Sequence, residues 1–145
     1  MRVADRAALL YDSDCGFCRW CAGVALAWDR HGRLRPVAIQ DPEADPLLAG
    51  LGYEERMRSW HLVEPDDRRS SAGDAFAPLL RLLPGGAPLA CLAARFPRLV
   101  NAAYFAVANR RSLLGRLVSE RAKRRADDRI AQARRADDRI ARARS

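Results

Sequence analysis

Three of the four cysteines in this 145-residue chain, Cys15, Cys18 and Cys21, fall close together, and the first two form a Cys-x-x-Cys pair. A thiol attacks as its thiolate. A cysteine in the first turn of a helix gains from unpaired backbone N–H groups and the positive end of the macrodipole, which lower its pKa from about 8.5 to about 3.5–7.5. The run Asp12-Ser13-Asp14-Cys15-Gly16-Phe17-Cys18 reads as a turn entering a helix, with Asp14 as N-cap and Cys15 as first helical residue. Cys18 then lies about 60° around the helix and one turn further in, near enough to resolve a mixed disulfide formed at Cys15. The chemistry this spacing predicts is thiol–disulfide exchange, with Cys15 as nucleophile and Cys18 as resolving thiol. It needs no bound cofactor beyond an external thiol reductant. Gly16 is expected to keep the approach to both sulfurs open, and Phe17 either to pack or to offer an apolar edge to a substrate. Asp12 and Asp14 oppose thiolate formation; each is read as a cap or strand end, or else as a proton acceptor for Cys18.

Metal binding is the main rival chemistry. A closed zinc site needs four ligands, and the chain has no second Cys-x-x-Cys and only the isolated His31 and His61. No metal is therefore expected. Cys21, about 120° from Cys15 around the helix, is read as a small hydrophobe facing the core, and Cys91 as packing in an apolar helix. His61 is expected to be a satisfied structural histidine in a strand and His31 to lie in a polar turn. Trp20 and Trp28 are expected to cover the sheet. Arg110 and Arg111 either bind an anionic substrate or cap the preceding helix's C-terminus.

The elements that must position the pair are legible around it. Ala7–Tyr11 is a short apolar run stopped by turn formers, which predicts a buried strand. From Cys15 to about Trp28 the apolar residues recur at three- and four-residue steps, which predicts a helix ending at His31-Gly32. Leu34, Val37 and Ile39 predict a second strand, completing a βαβ unit and a parallel pair. A short helix is expected around Leu47–Leu51. Trp60–Val63 and Arg68–Ser71 predict an antiparallel hairpin turning at Glu64–Asp67. Helices are expected from Gly73-Asp74 to about Leu83, over Pro88–Arg95 and over Leu99–Ala108. The order βαβ then ββα, with the cysteine pair after strand one, predicts an α/β, thioredoxin-like fold with additional C-terminal helices.

The segment Leu10-Tyr11-Asp12-Ser13-Asp14-Cys15-Gly16-Phe17-Cys18 resembles the signature of the DCC family, predicted thiol-disulfide oxidoreductases named for an Asp-Cys-x-x-Cys motif. The usual form has Gly where this chain has Ser13. Arg33–Gln40 is similar to the family's second strand and its closing Gln, and the likeness continues through Ser71–Ala75 and Tyr104–Gly115, covering roughly residues 7–118. It implies a thioredoxin-like fold and disulfide chemistry on a protein or small thiol. Thioredoxins and glutaredoxins usually carry a cis-proline before strand three; the corresponding Met57-Arg58-Ser59-Trp60 has no proline. Ser70–Asp74 sits where glutathione-using relatives hold the γ-glutamyl end, so Ser71 and Asp74 are candidate contacts for a glutathione-like partner, their default role being to cap the next helix.

Charge is distributed unevenly. Residues 121–145 hold ten basic and four acidic side chains, which places +6 of the formal +8 in the last 25 residues. Two domains of behaviour follow: a thioredoxin-like body over 1–118 and a basic tail over 119–145. The tail contains a near-exact ten-residue repeat, RRADDRIAQA over Arg124–Ala133 and RRADDRIARA over Arg134–Ala143. Arg124 with Asp128 and Arg134 with Asp138 are i,i+4 pairs that favour helix. With Ile130 and Ile140 its only large aliphatics, a solvated, partly frayed helix or a disordered extension is expected. It can touch anionic surfaces weakly through charge, but without aromatics no specific nucleic-acid binding is expected. No apolar stretch is long enough to span a bilayer. The N-terminal residues lack a signal peptide's apolar length, so a cytoplasmic setting is expected.

Overall fold

The computed structural model describes residues 3–144. In chain order its regular elements are β1 (Ala7–Tyr11), α1 (Gly16–Trp28), β2 (Leu34–Ala38), α2 (Ala44–Leu47), α3 (Tyr53–Arg58), β3 (His61–Val63) and β4 (Arg69–Ser71). A 3-10 turn over Ala72–Ala75 then leads into α4 (Phe76–Leu82), α5 (Ala87–Arg95), α6 (Pro97–Ala108), α7 (Arg111–Leu117) and α8 (Glu120–Arg142).

The four strands form one sheet in the order β2-β1-β3-β4. β1 and β2 are parallel, with Ala7 opposite Leu34 and Tyr11 opposite Ala38. β3 is antiparallel to both β1 and β4. β1 is buried on both faces, which is why it reads as an unbroken apolar run rather than an alternation. Its odd residues Ala7, Leu9 and Tyr11 meet α1, α4 and Ile130 of α8 on one side. Its even residues Ala8 and Leu10 meet Ala44, Leu48 and Met57 on the other. Pro36 is tolerated in β2 because that strand is an edge, where a missing ladder donor costs little. The hairpin closes with Asp67 in the left-handed region at φ 64, a conformation that Asp accepts. This is a mixed α/β, thioredoxin-like fold, as the element order predicts.

Several expectations are corrected. The helix expected around Leu47–Leu51 begins at Ala44, because Ala44 and Leu48 are the residues that reach the sheet. The helix expected from Gly73 starts as a 3-10 turn and becomes α only at Phe76. α3 and α7 are additional. The largest difference is in the tail. α8 is a continuous helix whose Ser119 hydroxyl caps the Ala122 amide at 3.2 Å, and it is not solvated all round. It lies along α1, burying Ala126 and Ile130. A Cβ on Gly23 would sit 2.5 Å from the Ala126 Cβ, so the absence of a side chain there is what lets the two helices approach. Nor do the expected i,i+4 pairs hold the helix: Arg134 reaches Asp41, Asp127 pairs with Arg19 of α1, and Asp137 pairs with Arg6.

Candidate active site

β1 delivers Asp12 to the sheet's edge, and the chain then turns through Ser13 and Asp14 into α1. The N-cap of α1 is Cys15 itself, with extended backbone angles, and its Sγ accepts the Cys18 amide N–H at 3.2 Å. Asp14, the expected cap, is drawn elsewhere. Its own amide donates to Asp12 Oδ1 at 3.0 Å, and Gln40, just beyond β2, donates through Nε2 to Asp12 Oδ1 at 2.7 Å and to Asp14 Oδ2 at 3.3 Å. The Gln40 side-chain Oε1 accepts from the Ser13 amide and hydroxyl at 3.1 and 2.9 Å. One side chain from the parallel neighbour therefore fixes the whole turn that presents Cys15.

The electrostatics separate the two thiols. Cys15 is lowered to about 6, chiefly because the Cys18 thiol donates to it, with the Cys18 amide and the Arg111 guanidinium also favouring the thiolate against the cost of burial. Cys18 is pushed up strongly by the same hydrogen bond, by burial and by the Cys15 charge. Asp12 opposes ionisation of both. The pair therefore holds one thiolate and one thiol, the arrangement a nucleophile and its resolving partner require.

Cys18 and Cys21 line an apolar cleft of about 450 Å³ between α1, the sheet edge and α6. Its walls include Phe17, Trp60, Phe76 and Val107, and its polar side chains are few: Tyr11, Asp12, Ser59, Tyr104 and Arg111, with the Trp60 indole, besides the thiols. Phe17 packs, resting against Trp20 with ring centroids 5.9 Å apart, and it also edges the cleft. Gly16 does not lie open: the aliphatic stem of Lys123 passes 3.4 Å from where its Cβ would stand. Cys21 keeps an exposed surface in the cleft wall instead of entering the core, and crowding by protein pushes it up to about 11. Cys91 is exposed on α5 and does not pack.

Ser71 and Asp74 are placed outside this cleft. The Ser71 hydroxyl lies 2.6 Å from His61 Nδ1, so it serves the buried histidine and does not cap the following turn. His61 Nε2 meets the Arg56 carbonyl at 3.0 Å, which leaves the imidazole satisfied, as expected of it. Asp74 is exposed beside Arg68 and Arg81 in a separate polar depression. Trp28 covers less of the sheet than expected: it is 37% exposed and donates its indole N–H to Pro84 O at 2.9 Å. Of the two arginines after α6, Arg110 is the α7 N-cap residue and Arg111 faces the cleft.

Sequence reasoning did not find Trp60, Ser59 and Tyr104 as parts of the site. A signal existed in the sequence: Val100, Tyr104 and Val107 follow one another at steps of four and three on one face of α6, and Arg111, four further on, opens α7 toward the same cleft. Among the described residues no cluster of histidines, cysteines and carboxylates is arranged to hold a metal, and no helix is long and apolar enough to cross a membrane. The family model for DCC1-like thiol-disulfide oxidoreductase matches residues 9–117. Neither a curated protein nor a solved structure matches the chain significantly.

Proposed function

Because this chain belongs to the DCC1-like thiol-disulfide oxidoreductase family, we propose that it exchanges disulfides with a protein or small-thiol substrate through Cys15 and Cys18. The Cys15 thiolate attacks one sulfur of a substrate disulfide, the substrate S–S bond breaks, and the departing thiolate takes a proton from water. Cys18 then loses its proton and attacks Cys15 Sγ, releasing the second substrate thiol and leaving a Cys15–Cys18 disulfide. Two electrons have passed to the substrate, and an external thiol restores the dithiol. Asp12, buried and acting on both sulfurs, is the group to which we assign the Cys18 proton. We place the reaction in the cytoplasm, where a thiol pool supplies that reductant, and read residues 1–118 as the thioredoxin-like body with 119–145 bracing it.

The observation that supports this most directly is the Cys18 amide on Cys15 Sγ at 3.2 Å, which makes the first cysteine both helix cap and nucleophile. Equilibration of metal-free protein in glutathione buffers, followed by alkylation and mass spectrometry, tests it. A reversible two-electron transition confined to Cys15 and Cys18 is expected, with exchange lost in Cys15→Ser and mixed disulfides trapped in Cys18→Ser. Failure to form the intramolecular disulfide, or retention of partners in both variants, would replace the enzyme with a binding module.

A further inference from the structure

The cleft beside the cysteines has a composition that selects its ligand. At about 450 Å³ it is within the range of small-molecule pockets, about 300–1,000 Å³. Most of its wall is aliphatic or aromatic, including Leu9, Ala22, Phe76 and Val107. The one cation in it is Arg111, which belongs to the same side-chain neighbourhood as both reactive sulfurs. Among the described residues Arg111 shares with most of the chain's arginines the lack of a carboxylate within ion-pair distance; what sets it apart is that its guanidinium lines an apolar cleft, not open solvent. The carboxylate nearest in role, Asp12, is already held by Gln40 and the Asp14 amide.

We propose that this cleft binds an amphipathic acid, with its apolar body along the wall formed by α1 and α6 and its carboxylate on Arg111, and that the disulfide or thiol substrate carries this group. The substrate half of the proposal rests on the function proposed above. A tripeptide such as glutathione fits less well, because its several amides and second carboxylate would lose water against a largely apolar wall whose polar groups are few. An extended polypeptide segment meets the same difficulty at the backbone N–H and C=O groups it turns toward that wall. An acyl chain or aromatic body ending in one carboxylate leaves no polar group unmatched. Cys18 lies on the cleft wall and Cys15 caps the helix beside it, so a sulfur near the acid end of such a ligand is presented to the nucleophile.

The test uses the full reduced chain and decanoate, a probe without sulfur, titrated by calorimetry, with decanamide as the uncharged match. Saturable one-site binding of decanoate is expected, weakened by about tenfold or more in Arg111→Gln and also weakened in Ala103→Trp, which adds uncharged bulk to the α6 wall of the cleft; circular dichroism verifies that both variants fold. Decanamide binding should not respond to Arg111→Gln. Absence of saturable decanoate binding, or binding indifferent to both variants, overturns the proposal. Exchange with hydroxyethyl disulfide, a substrate too small to need the cleft, is measured in parallel. Exchange without decanoate binding removes the amphipathic-acid site and leaves the oxidoreductase. Decanoate binding without exchange of any disulfide removes the oxidoreductase and with it the claim that the bound acid is a substrate.

Discussion

At the scale of single residues, the site is governed by which of two neighbouring sulfurs keeps its proton. The largest influence lowering Cys15 is the Cys18 thiol, followed by the Cys18 amide and then Arg111. Alkylation of Cys15 by iodoacetamide is therefore expected to follow a single titration with a midpoint at about 6. Cys18→Ala should move that midpoint upward, and Arg111→Gln should move it the same way by less. The same shifts set how stability varies with pH. A thiol lowered in the folded chain adds stability that is fully present above its unfolded value near 9.0 and is lost as pH falls through about 6. Cys18 and Cys21 are raised, so their contribution is present below that unfolded value and is lost at higher pH. Urea denaturation of the reduced protein should accordingly show stability rising between about pH 6 and 9 and falling above, with the rising limb weakened in Cys15→Ser. The spacing of the two cysteines was legible in sequence, because at about 3.6 residues per turn positions three apart lie on the same side of a helix end. The identity of the cap was not, because it depends on Gln40, which reaches the Asp12–Asp14 turn from the adjacent strand.

At the scale of elements, the contact between α1 and α8 shows where periodicity stops being informative. An unbroken apolar run located β1 because that strand is buried on both faces, whereas β2 was located by Leu34 and Val37 across the intervening Arg35 and Pro36, and β3 by Leu62 and Val63. Aliphatic spacing gave α8 no apolar stripe, since its close approach to α1 is made by small residues: Gly23 on one helix and Ala126 on the other, with Ile130 reaching the core beyond them. Small residues matter here for the distance they permit, and hydrophobicity patterns do not record that. Gly23→Val is expected to force the helices apart at a cost of about 1–3 kcal/mol, as overpacking does. Ile130→Ala leaves a cavity where a side chain only 6% exposed had been, for a loss of about 2–5 kcal/mol. Urea midpoints measure both. The Gly23 variant should also become easier to cleave within 119–145 by limited proteolysis, since its change acts on the seating of α8; midpoints that do not move would mean the contact contributes nothing to folding.

At the scale of the whole molecule, the excess positive charge is concentrated in the tail, yet the tail is not merely a cationic appendage. Its repeat supplies acids as well as bases, and the two copies use the same position differently. Asp127 pairs at 3.2 Å with Arg19 on α1, where both side chains are substantially exposed. Asp137, ten residues on, pairs with Arg6, whose side chain is only 8% exposed and also donates to the carbonyls of Gly32 and Leu34 at the start of the parallel strand pair. Sequence identity between the copies cannot distinguish these roles, because the helix rotates by roughly 80° between equivalent positions and the body meets each copy with a different surface. The physical consequence is a difference in cost. Asp127→Asn removes an exposed pair and is expected to change stability by only about 0–1 kcal/mol. Asp137→Asn removes the paired carboxylate from a buried guanidinium and leaves it only the field of Asp29, for a loss of about 1–3 kcal/mol. Salt separates the two further, because mobile ions screen exposed charges and hardly reach buried ones. In urea titrations at low and high ionic strength the small Asp127→Asn effect should vanish as salt rises while the Asp137→Asn effect persists. Equal, salt-sensitive losses at both positions would mean that α8 is held to the body by general electrostatic attraction and not by the buried Arg6 contact.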